Sequence, residues 1–180
     1  NAFNEVSDKC KIYPCDVQDM LCEEIDTPED LEVVSKRVKE INDRTVYMCF
    51  STEYIHSGHV AIINKARRLG RLIIGVLSDE AISSFKRYPL IPFEERKALF
   101  ENMAGVERVV EQKTLSYKDN LVALKPNCVV HGNDWCEGFQ KPIRQEVIDV
   151  LKEYGGQLVE YPYNNNPMYK ELDAAHRAEI

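Results

Sequence analysis

The sequence predicts an α/β protein built on a doubly wound parallel sheet, with a short helical appendage before it. Apolar runs of strand length recur at residues 46–50, 72–77, 106–110, 128–131 and 157–161. Between them lie segments whose apolar residues repeat at helical spacing, so strand and helix alternate along the chain. Such alternation implies parallel strands wrapped by helices on both faces. At 180 residues the chain can fill one hydrophobic core, with room for an appendage but not for two full domains.

Residues 1–43 are rich in acids and turn formers, and they read as an appendage or the tail of a preceding domain; residues 44–180 form the α/β domain. Inside the appendage, Thr27 suits a helix N-cap, Pro28 the first helical position, and Glu29 and Asp30 the positive end of the helix dipole. The helix they start is expected to run to about Ile41. After the first strand, residues 60–69 form a helix that Gly70 closes as a C-cap. The strand at 72–77 leads into a helix headed by Asp79 and Glu80. A further helix spans 92–103, with Ala98, Leu99 and Met103 on one side, and two more occupy 117–124 and 141–154. There are no repeats and no low-complexity tract.

The net charge of −7 disfavours nonspecific nucleic-acid binding, which needs clustered Lys and Arg to neutralise phosphates. Small molecules are the expected partners. The apolar runs are far shorter than the roughly 20 residues of a membrane helix, and the N-terminal end has no signal-like apolar stretch, so a soluble, cytoplasmic protein is expected. Six cysteines, Cys10, Cys15, Cys22, Cys49, Cys128 and Cys136, match neither a CxxC pair nor a zinc site and are expected reduced, with Cys49 and Cys128 buried.

In a doubly wound sheet, ligands bind beyond the carboxyl ends of the strands, where loops enter helix N-termini. The first such exit carries the loop Ser51-Thr52-Glu53-Tyr54-Ile55-His56-Ser57-Gly58-His59. His56 and His59 can both face a phosphate there, Gly58 permits close backbone approach, and the helix dipole favours negative charge. Taken alone, the HxGH string also fits a loop with two solvated histidines.

Together with the elements C-terminal to it, this loop resembles the HxGH nucleotidyltransferase superfamily, a Rossmann-like fold. Gly75-Val76-Leu77-Ser78-Asp79-Glu80, then Lys86, then Pro92-Phe93-Glu94-Glu95-Arg96-Lys97, and finally Val129-Val130-His131-Gly132-Asn133-Asp134-Trp135 resemble the cytidylyltransferase branch. Asn133 replaces an acid of that branch's GDDW element. Within the branch, Lys86-Arg87-Tyr88-Pro89, Thr114-Leu115-Ser116-Tyr117 and Gly155 to Tyr163 are similar to the cytidylyltransferase domain fused to phosphoenolpyruvate phosphomutase in phosphonate biosynthesis. The similarity spans about residues 45–163, and the mutase itself is not in the chain.

The resemblance implies CMP transfer from CTP to a small phosphonate or phosphate monoester, with release of pyrophosphate. His56 and His59 would contact the triphosphate and stabilise the transition state. Lys86 would bridge the acceptor's anion and the α-phosphate. Ser51, Glu53, Gly58, Arg96, His131, Gly132, Asp134 and Trp135 are the expected nucleotide-binding residues. For Glu53 a loop-bracing role stands beside a metal-linked or nucleotide contact. Arg96 pairs either with an acid beneath the pocket or with Glu95 or Glu101 on its own helix, and Trp135 equally suits a core position with a wet indole edge. Mg²⁺ is implied as the cation of the β- and γ-phosphates, without a dedicated protein site.

The acceptors expected first are 2-hydroxyethylphosphonate and 2-aminoethylphosphonate, then phosphocholine, phosphoethanolamine and glycerol 3-phosphate. An adenylyltransferase of the same superfamily is the nearer rival, and a noncatalytic regulatory domain the other. A homodimer, or a place within a larger multidomain enzyme, is the expected assembly. One departure matters: relatives carry a GISST-like signature after the last strand, whereas here Tyr161-Pro162-Tyr163 runs into Asn164-Asn165-Asn166-Pro167. Either a mobile lid bearing that signature stands between Tyr163 and Asn164, followed by a helix over 167–180, or the element is lost and the noncatalytic reading gains.

Overall fold

The computed structural model describes residues 21–162. Helix α1 (Pro28–Asp43) opens this part of the chain, capped by Thr27, whose side chain accepts from the Asp30 N–H at 3.1 Å while Asp30 reaches back to the Thr27 N–H at 2.9 Å. This reciprocal cap satisfies two amides that a helix start leaves open. No side chain of α1 is fully buried.

The sheet domain then runs β1 (Thr45–Phe50), α2 (Ser57–Ala66), β2 (Arg71–Leu77), α3 (Asp79–Ser83), α4 (Phe93–Glu101), β3 (Val106–Gln112), α5 (Lys118–Leu124), β4 (Cys128–Gly132), α6 (Lys141–Tyr154) and β5 (Gln157–Tyr161). Short 3₁₀ turns at Asn133–Cys136 and Gly138–Gln140 join β4 to α6. The five strands lie in the order β3-β2-β1-β4-β5, every neighbouring pair parallel. The expected doubly wound α/β sheet is therefore the observed one.

Alternation along β1 separates two cores, because successive side chains leave a strand on opposite faces. Val46, Met48 and Phe50 join Leu72, Ile74 and Val76 of β2 beneath Ile63 and Ala66 of α2 and Phe100 of α4. Tyr47 points the other way, with Ile73 and Val129, into a core closed by Leu121 of α5 and Val147, Val150 and Leu151 of α6. Burial of these side chains, each worth roughly 1.5–3 kcal/mol, is the main favourable contribution to the fold.

The order of the strands makes the β1–β4 boundary the switch point, where the chain, having built outward through β2 and β3, returns to the other side of β1. The pairing there is short. β1 matches β2 from Thr45↔Arg71 to Phe50↔Val76, but meets β4 only at Val46↔Cys128 and Tyr47↔Val129. Beyond Tyr47 the two ladders part, and the gap opens at the carboxyl edge of the sheet.

Two helix boundaries differ from expectation. α2 ends at Ala66, and Gly70 is not its C-cap. A Cβ on Gly70 would stand 2.5 Å from the Arg44 carbonyl oxygen, which accepts from the Arg71 N–H at 2.9 Å, so this glycine serves the approach of β2 to β1. In α4 the buried residues are Arg96 and Phe100, and Leu99 is exposed. Phe93, Arg96, Phe100 and Met103 share the inner face, because a buried ion pair at Arg96 rotates the helix away from the register that apolar residues alone would choose.

Gly75, in the middle of β2, is required by a close approach across strands. A Cβ there would fall 1.9 Å from the Tyr47 hydroxyl oxygen and 2.7 Å from its Cζ. Both residues sit within rigid sheet, so neither can yield cheaply. Gly75→Ala is expected to lower unfolding free energy by about 1–3 kcal/mol, the usual range for overpacking, measured by urea denaturation; a loss below about 0.5 kcal/mol would show that the phenol moves aside freely.

Candidate active site

The exit of β1 builds the first wall. His56 is the N-cap of α2 in extended conformation, and its Nδ1 accepts from the Gly58 N–H at 3.1 Å. His59, at the third helical position, completes the exchange: its Nδ1 accepts from the His56 N–H at 3.4 Å. Histidine thus fills both places of a capping box that Ser/Thr and Glu usually occupy. The two rings stack at 3.9 Å between centroids, 28° apart, and His59 meets the Phe50 ring edge-on at 5.7 Å. Because each Nδ1 lone pair is taken by a backbone amide, each ring carries its proton on Nε2 and presents that edge as a hydrogen-bond donor. The Gly58 N–H faces the His56 ring, so an anion at this end meets imidazole donors before that amide.

Opposite the histidines lies the loop after α3. The Lys86 Nζ donates to the Ser51 carbonyl at 3.0 Å, which brings its ammonium to the strand exit that leads to His56. Glu53, 6% exposed, accepts from Arg87 Nη2 at 3.0 Å, from the Ile91 N–H at 2.9 Å and from the Leu90 N–H. These contacts are the loop-bracing arrangement: one buried carboxylate pins the 87–91 segment against the β1 loop and thereby fixes where Lys86 stands. Arg96 is 1% exposed and pairs with Asp79 at 2.6 Å, not with Glu95 or Glu101; its Nε donates to the Ile91 carbonyl at 3.0 Å. Asp79 also accepts from the Phe93 N–H at 3.2 Å, tying α4 to the exit of β2.

The exit of β4 forms the far wall. His131 stacks on Trp135 at 3.7 Å, nearly parallel at 7°, and its Nδ1 donates to the Gly132 carbonyl at 2.7 Å. Burial depresses the His131 pKa, which keeps the ring neutral at pH 7. Asp134 stands 3.7 Å from the same Nδ1 and is half-exposed. Trp135 is a core residue at 1% exposure, without the wet edge considered from sequence: its Nε1–H donates to Glu160 at 2.6 Å. Arg144 holds the same carboxylate through two bonds, at 2.9 and 2.7 Å.

Glu160 and Arg144 are site-supporting residues that sequence reasoning missed. The available signal was an acid inside a short apolar strand, at the position that pairs with His131. Gln112 was missed as well. It closes β3 at 2% exposure and accepts from the Tyr47 hydroxyl at 2.6 Å. Together the exits of β1, β2, β3 and β4 border a small cleft, whose lining includes Cys49, Ser51, Gln112, Tyr117, His131 and Trp135. Of the residues expected from sequence, Ser51, His131 and Trp135 line it, and Lys86 stands at its edge through Ser51. Glu53, His56, Gly58, His59, Arg96, Gly132 and Asp134 are not part of its lining. Among the described residues no group of three His, Cys, Asp or Glu could hold a metal ion, and no helix is long and apolar enough to cross a membrane. Cys22, Cys49, Cys128 and Cys136 are free thiols, Cys128 buried and Cys49 half-buried. The expected lid between Tyr163 and Asn164, and the helix after it, lie outside the described residues.

Arg144, and then Trp135, hold the Glu160 carboxyl at a pKa of about 2, below its ordinary 4.5. A depressed carboxylate pKa contributes stability that is fully present above the unfolded value, near 4.5, and is lost as pH falls toward about 2. Glu160→Gln is therefore expected to lose about 1–3 kcal/mol at pH 7, the scale of hydrogen bonds to a charged group. It should also flatten the acid limb of stability between those values, as measured by thermal unfolding across a pH series. An unaltered acid limb would mean that the pair contributes nothing to folding.

Comparison with known proteins agrees with this arrangement. A family model described as cytidylyltransferase-like matches residues 51–171, from the β1 exit past β5. The bifunctional protein HldE of Hahella chejuensis is 28% identical over 137 residues, which are 73% of this chain and 27% of that protein. FAD synthase of Methanopyrus kandleri is 31% identical over 86 residues, 46% of this chain and 57% of that enzyme. The chain thus spans about a quarter of the length of HldE and little over half of the synthase. Among solved structures, the lipopolysaccharide core biosynthesis protein of Thermoplasma volcanium superposes with a TM-score of 0.57 at 18% identity, covering 67% of this chain and 98% of that one, a likeness of fold. With the match covering the whole sheet edge that carries the paired histidines, the chain belongs to the cytidylyltransferase-like family of nucleotidyltransferases.

Proposed function

We propose that this domain transfers CMP from CTP to a small phosphonate, 2-hydroxyethylphosphonate or 2-aminoethylphosphonate, with release of pyrophosphate. The observation that carries the reading is the reciprocal cap of His56 and His59, which fixes two Nε2–H donors side by side at a helix N-terminus, with the Lys86 ammonium held at the same strand exit. In the reaction, a phosphonate oxygen of the acceptor attacks the α-phosphorus of CTP. The bond from that phosphorus to the bridging oxygen breaks, and pyrophosphate leaves with the electron pair. Negative charge grows on the α-phosphoryl oxygens and the bridging oxygen. Preorganised donors aimed there stabilise the transition state more than the ground state.

His56 and His59 supply those donors to the triphosphate. Lys86 lies between acceptor anion and α-phosphate and offsets the repulsion of two anions that must meet. His131, Gly132, Asp134 and Trp135 form the wall of the nucleotide pocket, and Ser51 and Gly58 the floor at the triphosphate end. Mg²⁺ bound with CTP would neutralise phosphate charge, held by substrate oxygens and not by a dedicated group of side chains. The donor set supports this, since Mg²⁺ is commonly held by substrate phosphates and water with few protein ligands, and the buried carboxylate nearest the histidine loop, Glu53, is engaged by Arg87 and two backbone amides.

The likeness to FAD synthase supports a second reading, adenylyl transfer from ATP. The short coverage of HldE supports a place within a larger polypeptide. A pyrophosphate-release assay with the four nucleoside triphosphates, Mg²⁺, the two phosphonates, phosphocholine, phosphoethanolamine and glycerol 3-phosphate separates these readings. CTP with a phosphonate should give the highest kcat/KM; equal or better turnover with ATP selects the second reading, and none with any pair selects a noncatalytic domain. His56→Ala and His59→Ala should each lower kcat by about a hundredfold or more without unfolding the domain, the scale of one lost oxyanion donor. A loss under about fivefold in a folded variant would assign the histidines to capping alone. Lys86→Ala should reduce kcat and raise the KM of the acceptor together, and unchanged acceptor kinetics would remove it from the reaction.

A further inference from the structure

The end of the cleft farthest from the histidines is built by a chain of hydrogen bonds whose polarity can be followed atom by atom. Asn120 Nδ2 donates to the Glu111 carbonyl at 3.0 Å, which fixes the orientation of that amide. The same Nδ2 donates to the Tyr47 hydroxyl at 2.9 Å. Having accepted there, the hydroxyl directs its own hydrogen to Gln112, 2.6 Å away, so the Gln112 atom it meets is Oε1. The other end of the amide, Nε2, is left as a buried donor with no hydrogen-bond partner among the described residues, on a side chain that lines the cleft. Its backbone is held too, since the Gln112 carbonyl accepts from the Ser78 N–H at 2.9 Å. A buried N–H without a partner costs about 1–3 kcal/mol, and a ligand oxygen recovers it.

The rest of the lining is neutral. Among the described residues no Asp or Glu lines the cleft. Burial raises the Cys49 thiol to about 12 and lifts the Tyr117 phenol well above its ordinary value, so both are uncharged at pH 7. Glu160, behind the wall, is taken by Arg144 and Trp135, and Asp134 stands against His131. Two of the aromatic rings that line it already have a partner on one face. His131 lies on Trp135, and the Phe85 ring has the Lys86 ammonium 5.5 Å from its centroid. A second ammonium there would meet the first at short range and find no carboxylate to pair with.

We infer that Gln112 is a specificity-determining residue, donating through Nε2 to a neutral oxygen at the organic end of the acceptor. The domain therefore prefers a hydroxyl-bearing phosphonate to an amine-bearing one. The inference rests on the proposed cytidylyl transfer to a phosphonate, with the nucleotide along His131 and Trp135, the phosphonate at Lys86 and its organic end turned toward Gln112.

The test uses the full chain with CTP and three acceptors alike in size: 2-hydroxyethylphosphonate, 2-aminoethylphosphonate and ethylphosphonate, which lacks the polar end. The unaltered protein should favour the hydroxyl acceptor over the amine in kcat/KM by about tenfold or more, and over ethylphosphonate by a similar factor, the scale of one hydrogen bond to an otherwise unpaired buried donor. Gln112→Met should collapse the hydroxyl-to-ethyl ratio to within about twofold, through KM of the hydroxyl acceptor. Gln112→Glu, which still accepts from Tyr47 but no longer offers the donor, should shift the ratio toward the amine. Preference for the amine by the unaltered protein, or equal loss on all three acceptors in a folded Gln112 variant, overturns the inference while leaving cytidylyl transfer standing. If only phosphate esters react, glycerol 3-phosphate against phosphoethanolamine poses the same contrast. Absence of turnover with every acceptor removes both this inference and the function on which it rests.

Discussion

The brevity of the β1–β4 ladder is the constraint on which the site depends. Two residue pairs join these strands, and after Tyr47 and Val129 they separate, each continuing beside its other neighbour. A parallel sheet loses hydrogen bonds where it splays, so the unpaired edge must be covered or occupied. Here Tyr117, Trp135 and His131 cover part of it, and the remainder is the cleft. The same splay sends the β1 loop toward α2 and the β4 loop toward α6 in different directions.

Much of this architecture could be read from residue types. Strand alternation fixed the two cores, and Thr27-Pro28 located the start of α1 to the residue. His56, His59, Asp79, Lys86 and Trp135 follow the carboxyl ends of β1, β2 and β4, as the alternation of strands and helices implied. What was not legible depended on contacts made across the fold. Gly70 carries a glycine's C-cap signal, yet its place is set by the Arg44 carbonyl, 26 positions earlier. Leu99 has the apolar side chain and Arg96 the charged one, and burial follows the reverse order because Asp79 is there to receive the guanidinium. Glu160 has only the local signal of an acid inside a short apolar strand, and Gln112 has no local signal of function. Their importance comes from Trp135 and Tyr47, residues 25 and 65 positions away.

The paired histidines also qualify the usual account of an anion site at a helix N-terminus. That account relies on open backbone amides and the helix dipole. In α2 the Gly58 and His56 amides are both turned to imidazole nitrogens. The dipole remains, and the backbone selects the tautomer of both rings. One set of bonds therefore caps the helix and prepares the donors. Removing either ring exposes an amide as well as deleting a donor, so effects on stability and on turnover are coupled at this position and are separated only by measuring both.

A similar economy governs the opposite wall. His131 can remain neutral and flat against Trp135 only while the indole is held, and the indole is held by a carboxylate that Arg144 keeps ionised. Because Glu160 is saturated by those partners, its charge does not reach the cleft as an open acceptor. The same arrangement that stiffens the wall thus deprives the cleft of the anion that an amine would need. On the floor, Tyr47 accepts from Asn120 and so donates to Gln112, which turns an amide donor toward the space between. The rigidity of both walls has one origin: Tyr47, Gln112, Trp135 and Glu160 are each held by side chains from other elements of the fold.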